Sequence, residues 1–292
     1  KELLKLFDLN IKMLPQVKES ASIFGYTNLN QILKDKIPIA GVMGDSQASI
    51  FANQCFNKGN TKITLGTGAS ILTNIGNQYS YKKNTITTLS YVYNNKPSYS
   101  YECLINYAGA TVSWLNSNLK IIKKPQETNS IFTKTNNSNG VVFIPAFVGL
   151  SSPHWLPNSK GMIYGLTPSV NKNHIIRAAL ESIAFQIKDY LDDLEKNQKI
   201  ICNDIYIDGG IVSNLSFMNF LSDTLKRKIY VTNFEDMSSY GSLIMGLLGT
   251  KIEKNLKDIS KYKQKYTIYH PNKNKIIDSY KKWKDVLNNF YL

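Results

Sequence analysis

Short apolar runs and longer amphipathic stretches alternate along most of the chain, and these patterns predict strands and helices in turn. Strands are predicted over Ile37–Asp45, Thr61–Leu65, Ala69–Asn74, Val141–Pro145, Ile205–Asp208 and Ile229–Thr232, with two more between Thr85 and Tyr101. Helices are predicted over Ser46–Phe56, Gly109–Leu119, His174–Leu194, Ser216–Leu225 and Gly241–Leu248. Because strands and helices alternate, the pattern indicates an α/β fold.

Asp45 is the first candidate for chemistry, because it follows Gly44 at the end of an apolar run that is typical of a buried strand. A carboxylate beside a glycine at a strand end can stand in a cleft and accept a proton from a hydroxyl as a general base. The alternative is an N-cap of the helix that is predicted from Ser46. These residues alone leave both roles open.

The turn Gly66–Gly68, with Thr67 at its centre, is the second candidate. Small residues at a turn allow backbone N–H groups to face an anion without a side chain in the way. A plain hairpin turn between the two predicted strands is the alternative.

The segment Asp208–Gly210, with Asn214 shortly after it, is the third candidate. Paired glycines after a strand allow a planar base or a phosphate to lie against the backbone. A tight turn with Asp208 as an N-cap is the alternative.

The charge of the chain does not by itself indicate a nucleic-acid partner. The formal net charge is +14, from 35 Lys and Arg against 21 Asp and Glu. Only Arg177 and Arg227 are arginine, whereas proteins that read nucleic acid usually rely on arginine. We interpret the charge as a lysine bias of composition and expect no nucleic-acid partner, with nucleic-acid binding as the rival interpretation.

Several other classes of site are missing from the sequence. The three cysteines and three histidines have no metal-ligand spacing, so no protein-held metal is expected. Neither a Walker loop nor a Gly-x-Ser-x-Gly elbow occurs. We find no signal peptide and no apolar run long enough to cross a membrane, so no membrane partner and a cytoplasmic, reducing location are expected.

A longer set of motifs resembles one known family, the FGGY carbohydrate kinases. Gly161–Leu166, followed after seven residues by His174–Glu181, is similar to the C-terminal signature of that family. The similarity extends from Leu14 to Trp283 and is greatest to the glycerol kinases of the family. Three further runs carry it: Pro145–Leu150, Pro153–Trp155 and Asp208–Gly210.

The resemblance implies an actin-like (ribonuclease H-like) ATPase fold, with ATP and substrate in a cleft between two α/β domains. It implies ATP-dependent phosphorylation of a small polyol or sugar, first of all glycerol to glycerol 3-phosphate, with ATP and Mg²⁺ as cofactors. Asp45 matches the general base, and Asp45, Ser46 and Ser70 match substrate-binding positions. The positions that match the ATP site are Gly66, Thr67, Gly68, Gly109, Gly210 and Asn214.

The sequence departs from the glycerol kinases at three of the matched positions. Ser46 and Ser70 stand where those enzymes commonly have Gln and an aromatic residue beside glycerol, which implies a wider and more polar pocket. A longer polyol or a ketopentose of the xylulose or ribulose type is therefore the alternative substrate. Ser113 stands at a position that resembles a Gln near the adenine.

The resemblance covers the C-terminal part of the family. Residues 1–56 are expected to close the N-terminal domain, residues 57–250 to form the C-terminal, ATP-binding domain, and residues 251–292 to form a connector and a surface helix. The acid-bearing phosphate hairpin of the family's N-terminal domain is not found, and the chain does not begin with Met. We expect the missing N-terminal domain to be a partner of this portion, and we expect this portion to be inactive alone. The sequence leaves open whether the protein forms a homodimer.

A second interpretation from a different class is a non-catalytic, actin-like protein that only binds nucleotide. The presence of Asp45 and of Gly66–Gly68 counts against it, because a decayed site usually loses its base first.

Overall fold

The computed structural model describes residues 2–272 and 278–292, with a mixed sheet of seven strands at its centre. The strands are β1 (Ile23–Thr27), β2 (Ile37–Ala40), β3 (Thr61–Leu65), β4 (Ala69–Gly76), β5 (Ile86–Tyr93), β6 (Lys96–Ile105), β7 (Val142–Ile144), β8 (Met162–Tyr164), β9 (Ile205–Asp208), β10 (Ile229–Val231) and β11 (Thr267–Tyr269). The α-helices are α1 (Glu2–Leu6), α2 (Asp45–Ala52), α3 (Gly109–Ser117), α4 (Glu127–Lys134), α5 (Lys172–Asn197), α6 (Leu215–Leu225), α7 (Met237–Gly249) and α8 (Asp278–Phe290). Turns of 3₁₀ helix lie at Ile11–Met13, Gly210–Ser213 and Asp258–Tyr262.

The topology of the central sheet brings several strand ends to one edge. Its strand order is β11-β10-β9-β3-β4-β6-β5, in which β3, β9 and β10 are parallel and the other neighbours antiparallel. Parallel neighbours have their carboxyl ends at the same edge, so the segments after β3 and β9 leave the sheet side by side. Strand β4 begins and β6 ends at this edge as well.

The two faces of the sheet are covered by different helices. Because side chains alternate along a strand, Ile63 and Leu65 of β3 enter the large apolar cluster that includes the buried side of α5. On the opposite face, Ile50 of α2 packs with Leu72 of β4 and Tyr206 of β9. The sheet is therefore the middle layer of an α/β sandwich, as the alternation of the predicted elements indicated.

Helix α5 is amphipathic, and a charged residue near its N-terminus binds the backbone of the neighbouring segment. Arg177 donates to Glu181 Oε1 at 2.8 Å and to the backbone carbonyl oxygens of Phe132 and Thr135 at 2.7 and 2.6 Å. These bonds connect α5 to the end of α4.

None of the helices in residues 2–272 and 278–292 combines the length and the apolar character that crossing a bilayer requires.

Most predicted elements lie at or near their predicted positions, but one predicted strand is shorter and more exposed than expected. The hairpin β3–β4, the pair β5–β6 and the long helix α5 are confirmed. The run Ile37–Asp45 was predicted to be a buried strand, but β2 ends at Ala40, and Ile37 and Ile39 are 45% and 44% exposed. Strand β2 pairs with β1 in a separate two-stranded sheet, so it does not share the buried layers of the central sheet.

Asp189 of α5 joins three parts of the structure below the surface. Its Oδ2 atom lies 2.6 Å from His154 Nε2, and its Oδ1 atom accepts a hydrogen bond from Lys284 of α8. Burial alone would raise the pKa of the Asp189 carboxyl, but the hydrogen bonds from His154 and Lys284 outweigh it and lower the pKa. Asp189 is therefore charged in the folded protein at neutral pH.

Asp189→Asn is expected to lower the free energy of unfolding by about 2 kcal/mol at pH 7, because it removes the charge from a buried pair. Since the folded pKa is below the unfolded one, the stabilisation is complete above about pH 4 and is lost as the pH falls through the folded pKa. Urea unfolding should therefore show a smaller difference from wild type at pH 3 than at pH 7. The exposed Asp35→Asn is the control, and an equal loss at both pH values would contradict the charged state.

Candidate active site

The three candidate segments meet at the edge where β3 and β9 end. The loop Gly66–Gly68 follows β3, and Gly209 and Gly210 follow β9 directly beside it. The first candidate, Asp45, reaches this edge on a helix rather than on a buried strand. The N-terminus of α2 is held there because Ser49 Oγ donates to Asp208 Oδ2 at 3.1 Å.

Asp45 is the exposed first residue of α2, and it stands in a cavity of about 390 Å³. The N-cap is Gly44, which makes no side-chain capping bond, and Asp45 Oδ1 accepts a hydrogen bond from the backbone N–H of Ser46 at 2.6 Å. A carboxylate in the first turn is stabilised by the helix dipole. The helix thus begins one residue earlier than predicted, and the second carboxylate oxygen of Asp45 is free to face the cavity.

Ser46 and Ser70 line the same cavity as Asp45. Their hydroxyl oxygens are 3.3 Å apart, which joins the start of α2 to the start of β4. Each hydroxyl can both donate and accept a hydrogen bond. The wall beside Asp45 is therefore suited to a ligand that carries several hydroxyl groups.

The loop Gly66–Gly68 is held from behind by the N-terminus of α3. Gly109 N–H donates to the carbonyl of Gly66 at 3.0 Å, and Ala108 and Ala110 N–H donate to the carbonyl of Thr67 at 3.1 and 2.9 Å. Among the described residues, no acceptor binds the N–H groups of Thr67 or Gly68. The loop therefore presents two backbone donors at the sheet edge, as an anion-binding turn does.

Gly109 is the position at which this support requires glycine. A Cβ atom there would lie 2.6 Å from the carbonyl oxygen of Gly66, which is closer than such atoms approach in proteins. The close approach of α3 to the loop therefore depends on the absence of a side chain.

A second cavity of about 590 Å³ lies on the other side of the loop. Its lining includes Gly109, Gly210 and Asn214, and Gly66 and Thr67 border both this cavity and the one at Asp45. An elongated ligand can therefore pass over the loop, with one end in each cavity. The predicted ATP-site residues and the predicted base therefore line two cavities that share Gly66 and Thr67.

Gly210 and Asn214 contribute to the larger cavity in different ways. A Cβ atom on Gly210 would meet no protein atom within 4 Å, so its bare backbone faces open space. The Asn214 side chain is buried, accepts a hydrogen bond from Phe217 N–H at 3.0 Å as the N-cap of α6, and donates to Thr128 Oγ1 at 3.4 Å. Asn214 thus shapes the cavity wall while it begins a helix. Ser113 also borders this cavity and is exposed.

The alternative role of Asp208 as an N-cap is wrong. Its carboxylate accepts hydrogen bonds from Thr64 Oγ1 at 2.5 Å and from Ser49 Oγ at 3.1 Å, and Asn214 caps the helix that follows. As the last residue of β9, Asp208 points to the sheet face that α2 covers, rather than toward the turn after it.

Lys62 also lines the Asp45 cavity although it is only 2% exposed, and it was not among the predicted site residues. Burial lowers the pKa of the Lys62 ammonium group, and the charges of Asp208 and Asp45 oppose that effect. A lysine in a strand usually reaches solvent, so it was not treated as part of a site. The signal was its spacing, because Lys62, Thr64 and the loop that begins at Gly66 follow one another at every second residue.

The described residues do not form a ready-made metal cage. No group of three or more His, Cys, Asp or Glu side chains in residues 2–272 and 278–292 is placed to hold a metal ion. Mg²⁺ commonly binds through substrate phosphates and only one or two carboxylates, and it keeps several waters. The two loop donors and the carboxylates at this edge fit such a phosphate-borne ion better than a protein-held one.

Comparison with known sequences places the chain beside one enzyme family. A family model described as "FGGY family of carbohydrate kinases, C-terminal domain" matches residues 61–250. The glycerol kinase of Thermococcus kodakarensis is 35% identical over 288 residues, which are 98% of this chain and 57% of that protein. Glycerol kinase 1 of Thermotoga maritima is 38% identical over 269 residues, which are 91% of this chain and 54% of that protein. The chain thus spans little more than half the length of these relatives.

Solved structures give the same result for the fold. The crystal structure of Plasmodium falciparum glycerol kinase with ADP superposes with a TM-score of 0.90 at 33% identity and covers 100% of this chain and 59% of that one. A xylulose kinase from Lactobacillus acidophilus superposes with a TM-score of 0.86 at 19% identity, over 99% of this chain and 60% of that one. The second likeness shows the fold alone. The expected actin-like α/β fold is confirmed.

Proposed function

The chain belongs to the FGGY family of carbohydrate kinases, and from this membership we propose that it forms the ATP-binding part of an enzyme that phosphorylates a small polyol or sugar. One observation carries the proposal above the others. Gly66 and Thr67 border both cavities, so a nucleotide in the larger cavity would direct its terminal phosphate across the loop toward Asp45.

The larger cavity suits the adenosine part of ATP. The bare backbone at Gly210 leaves a flat surface for a planar base, and Asn214 closes the wall behind it. The N–H groups of Thr67 and Gly68 would donate to the phosphates, and the helix α3 behind the loop would keep these donors in place. Bound with the phosphates, Mg²⁺ supplies positive charge that offsets the charge of the transferring group.

Asp45 would act on the acceptor in the smaller cavity. Its carboxylate takes the proton of the attacking hydroxyl, whose oxygen forms the new bond to the γ-phosphorus. The bond between that phosphorus and the oxygen bridging to the β-phosphate breaks, and ADP leaves with the electron pair. Most of the rate gain in such a transfer comes from positioning and charge stabilisation, which the loop and the sheet edge supply.

Glycerol is the first candidate acceptor, because relatives of this chain at 33–38% identity bear the name glycerol kinase. The hydroxyl pair of Ser46 and Ser70 beside Asp45 favours a hydroxyl-rich acceptor and leaves room for a longer polyol or a ketopentose. Each of these acceptors would be phosphorylated by the same reaction, with Asp45 as the general base.

The N-terminal segment supports the proposal that a further domain completes the enzyme. Apolar side chains of residues 2–43 face solvent, among them Leu6, Val17 and Ile32, which are 75%, 94% and 80% exposed. Exposed apolar side chains in this number suit a surface that packs against another domain. We propose that residues 1–56 close the N-terminal domain, that residues 57–250 form the C-terminal domain, and that the substrate cleft lies between them.

Residues 1–292 alone are expected to bind ADP with Mg²⁺ but to phosphorylate none of the candidate acceptors, because the second wall of the cleft would be missing. A coupled ADP-release assay with glycerol, erythritol and xylulose measures this, beside calorimetry for nucleotide binding. Efficient phosphorylation by residues 1–292 would contradict the two-domain cleft.

Gly210→Leu is expected to weaken the binding of ADP with Mg²⁺ by about tenfold or more, which corresponds to ~1.4 kcal/mol. The new side chain would enter the larger cavity, where it meets no protein atom, so the fold should be retained. Calorimetry gives the affinity, and the thermal midpoint should stay close to that of wild type. Gly25→Leu, at another open glycine that does not line the cavity, is the matched control. An unchanged affinity in Gly210→Leu would contradict the placement of the adenine base at this site.

A further inference from the structure

Lys62 occupies a defined place in the face of the sheet that α2 covers. In the register of the strands, Lys62 lies opposite Leu72 of β4 and Tyr206 of β9. Thr64, two residues on, lies opposite Ser70 and Asp208. Lys62 therefore belongs to the row of side chains directly behind the row that reaches the active-site edge.

The environment of Lys62 is unusual for an ammonium group. Lys62 is 2% exposed, yet it lines the cavity in which Asp45 stands. Burying an ammonium group is costly, so an apolar residue would be the more stable choice at this position. The titratable groups that interact with Lys62 are Asp208, Asp45, Cys55 and Glu102, in order of decreasing effect.

Glu102 is not a direct partner that would explain this burial. Leu72 lies between the two residues in the register, because it pairs with Lys62 on one side and with Glu102 on the other. Two strand spacings of about 4.8 Å separate their backbones. Lys62 is instead the one cation among the described residues that line the Asp45 cavity.

We propose that Lys62 is a positioning residue, whose ammonium group lies behind Asp45 and Asp208 and balances their negative charge at the point where the terminal phosphate arrives. The inference rests on the proposed function, since it assigns Lys62 a part in the same phosphoryl transfer. Without this cation, the negative charges of the carboxylates at the edge would repel the phosphates.

Lys62→Met in the full-length protein keeps the length and most of the volume of the side chain but removes its charge. We expect kcat to fall about tenfold and the KM of the acceptor to change by less than about threefold. Lys96→Met, at an exposed lysine of β6 outside the site, should leave both quantities unchanged. A merely structural Lys62 would lower stability but leave the kcat of the folded variant unchanged, and that result would overturn the proposal.

A double variant separates the effect of the Lys62 charge on stability from its effect on kcat. Lys62→Met with Glu102→Gln removes one charge of each sign, so the thermal midpoint should return toward that of wild type while kcat stays low. Recovery of kcat together with stability would mean that Lys62 acts only through Glu102, and would contradict the proposal.

Nucleotide affinity provides a readout that does not require turnover. Calorimetry should show that Lys62→Met weakens the binding of Mg·ATP about fivefold or more relative to its effect on the binding of adenosine. Only Mg·ATP brings phosphates to the edge of the sheet. If wild type phosphorylates no acceptor, the proposed function fails, and the ratio of the Mg·ATP affinity to the adenosine affinity alone decides the role of Lys62. A ratio that is the same in wild type and in Lys62→Met would refute that role.

Discussion

Asp45→Asn is expected to lower kcat by about three orders of magnitude in the full-length protein, while the affinity for ADP with Mg²⁺ stays within about twofold of wild type. The amide cannot accept the proton of the attacking hydroxyl, but it can keep the hydrogen bond from Ser46 N–H and the start of α2. Asp45 borders the smaller cavity and not the larger one, so the nucleotide should still bind.

A coupled assay at saturating ATP and acceptor measures this loss, and a thermal scan checks that the fold is retained. Asp8→Asn, at an exposed aspartate outside the cavity, is the matched control and should keep wild-type turnover. Near-normal turnover in Asp45→Asn would show that Asp45 is not the base, whatever the affinity for nucleotide.

Gly109→Ala is expected to lower kcat/KM for ATP by about 100-fold, because displacement of reacting groups by about 1 Å can have an effect of this size. The new Cβ atom would lie 2.6 Å from the Gly66 carbonyl oxygen, so either α3 or the loop must shift. The loop carries the two phosphate donors, whereas Asp45 on α2 would not move. The acceptor KM should therefore change much less than the ATP KM.

Initial rates with ATP and acceptor varied in turn measure both constants. Gly25→Ala, where a Cβ atom meets no atom within 4 Å, controls for the added methyl group. Equal losses for ATP and acceptor, or none for either, would contradict the assignment of Gly66–Gly68 to the phosphates.

The local features of this fold could be predicted because each rests on residues that are close in sequence. The turn Gly66–Gly68 lies between two short apolar runs and gives the hairpin β3–β4, and the apolar period of α5 runs through its whole length. The motif similarity added what periodicity cannot, since it assigned Asp45, Gly109 and Asn214 to one site although they are far apart in the sequence.

The features that were missed depend on pairings between distant segments. The parallel pairing of β3 with β9 joins residues more than 140 positions apart and turns Asp208 toward Thr64, so its role as a hydrogen-bond acceptor could not be seen locally. Likewise, the apolar run at Ile37 has the composition of a buried strand, but its partner is β1, outside the central sheet. Lys62 was overlooked because its burial arises only when α2 covers the sheet.

The transfer of phosphate at the Asp45 cavity is tested most directly by a panel of acceptors with the full-length protein, ATP and Mg²⁺. Glycerol, erythritol, xylulose and ribulose would be compared by kcat/KM, with ADP release and the mass of the product recorded together. We expect acceptor-dependent ADP formation that yields one phosphorylated product per ADP and that Asp45→Asn abolishes. Tight binding of ATP without phosphorylation of any acceptor would contradict the kinase and favour a protein that only binds nucleotide.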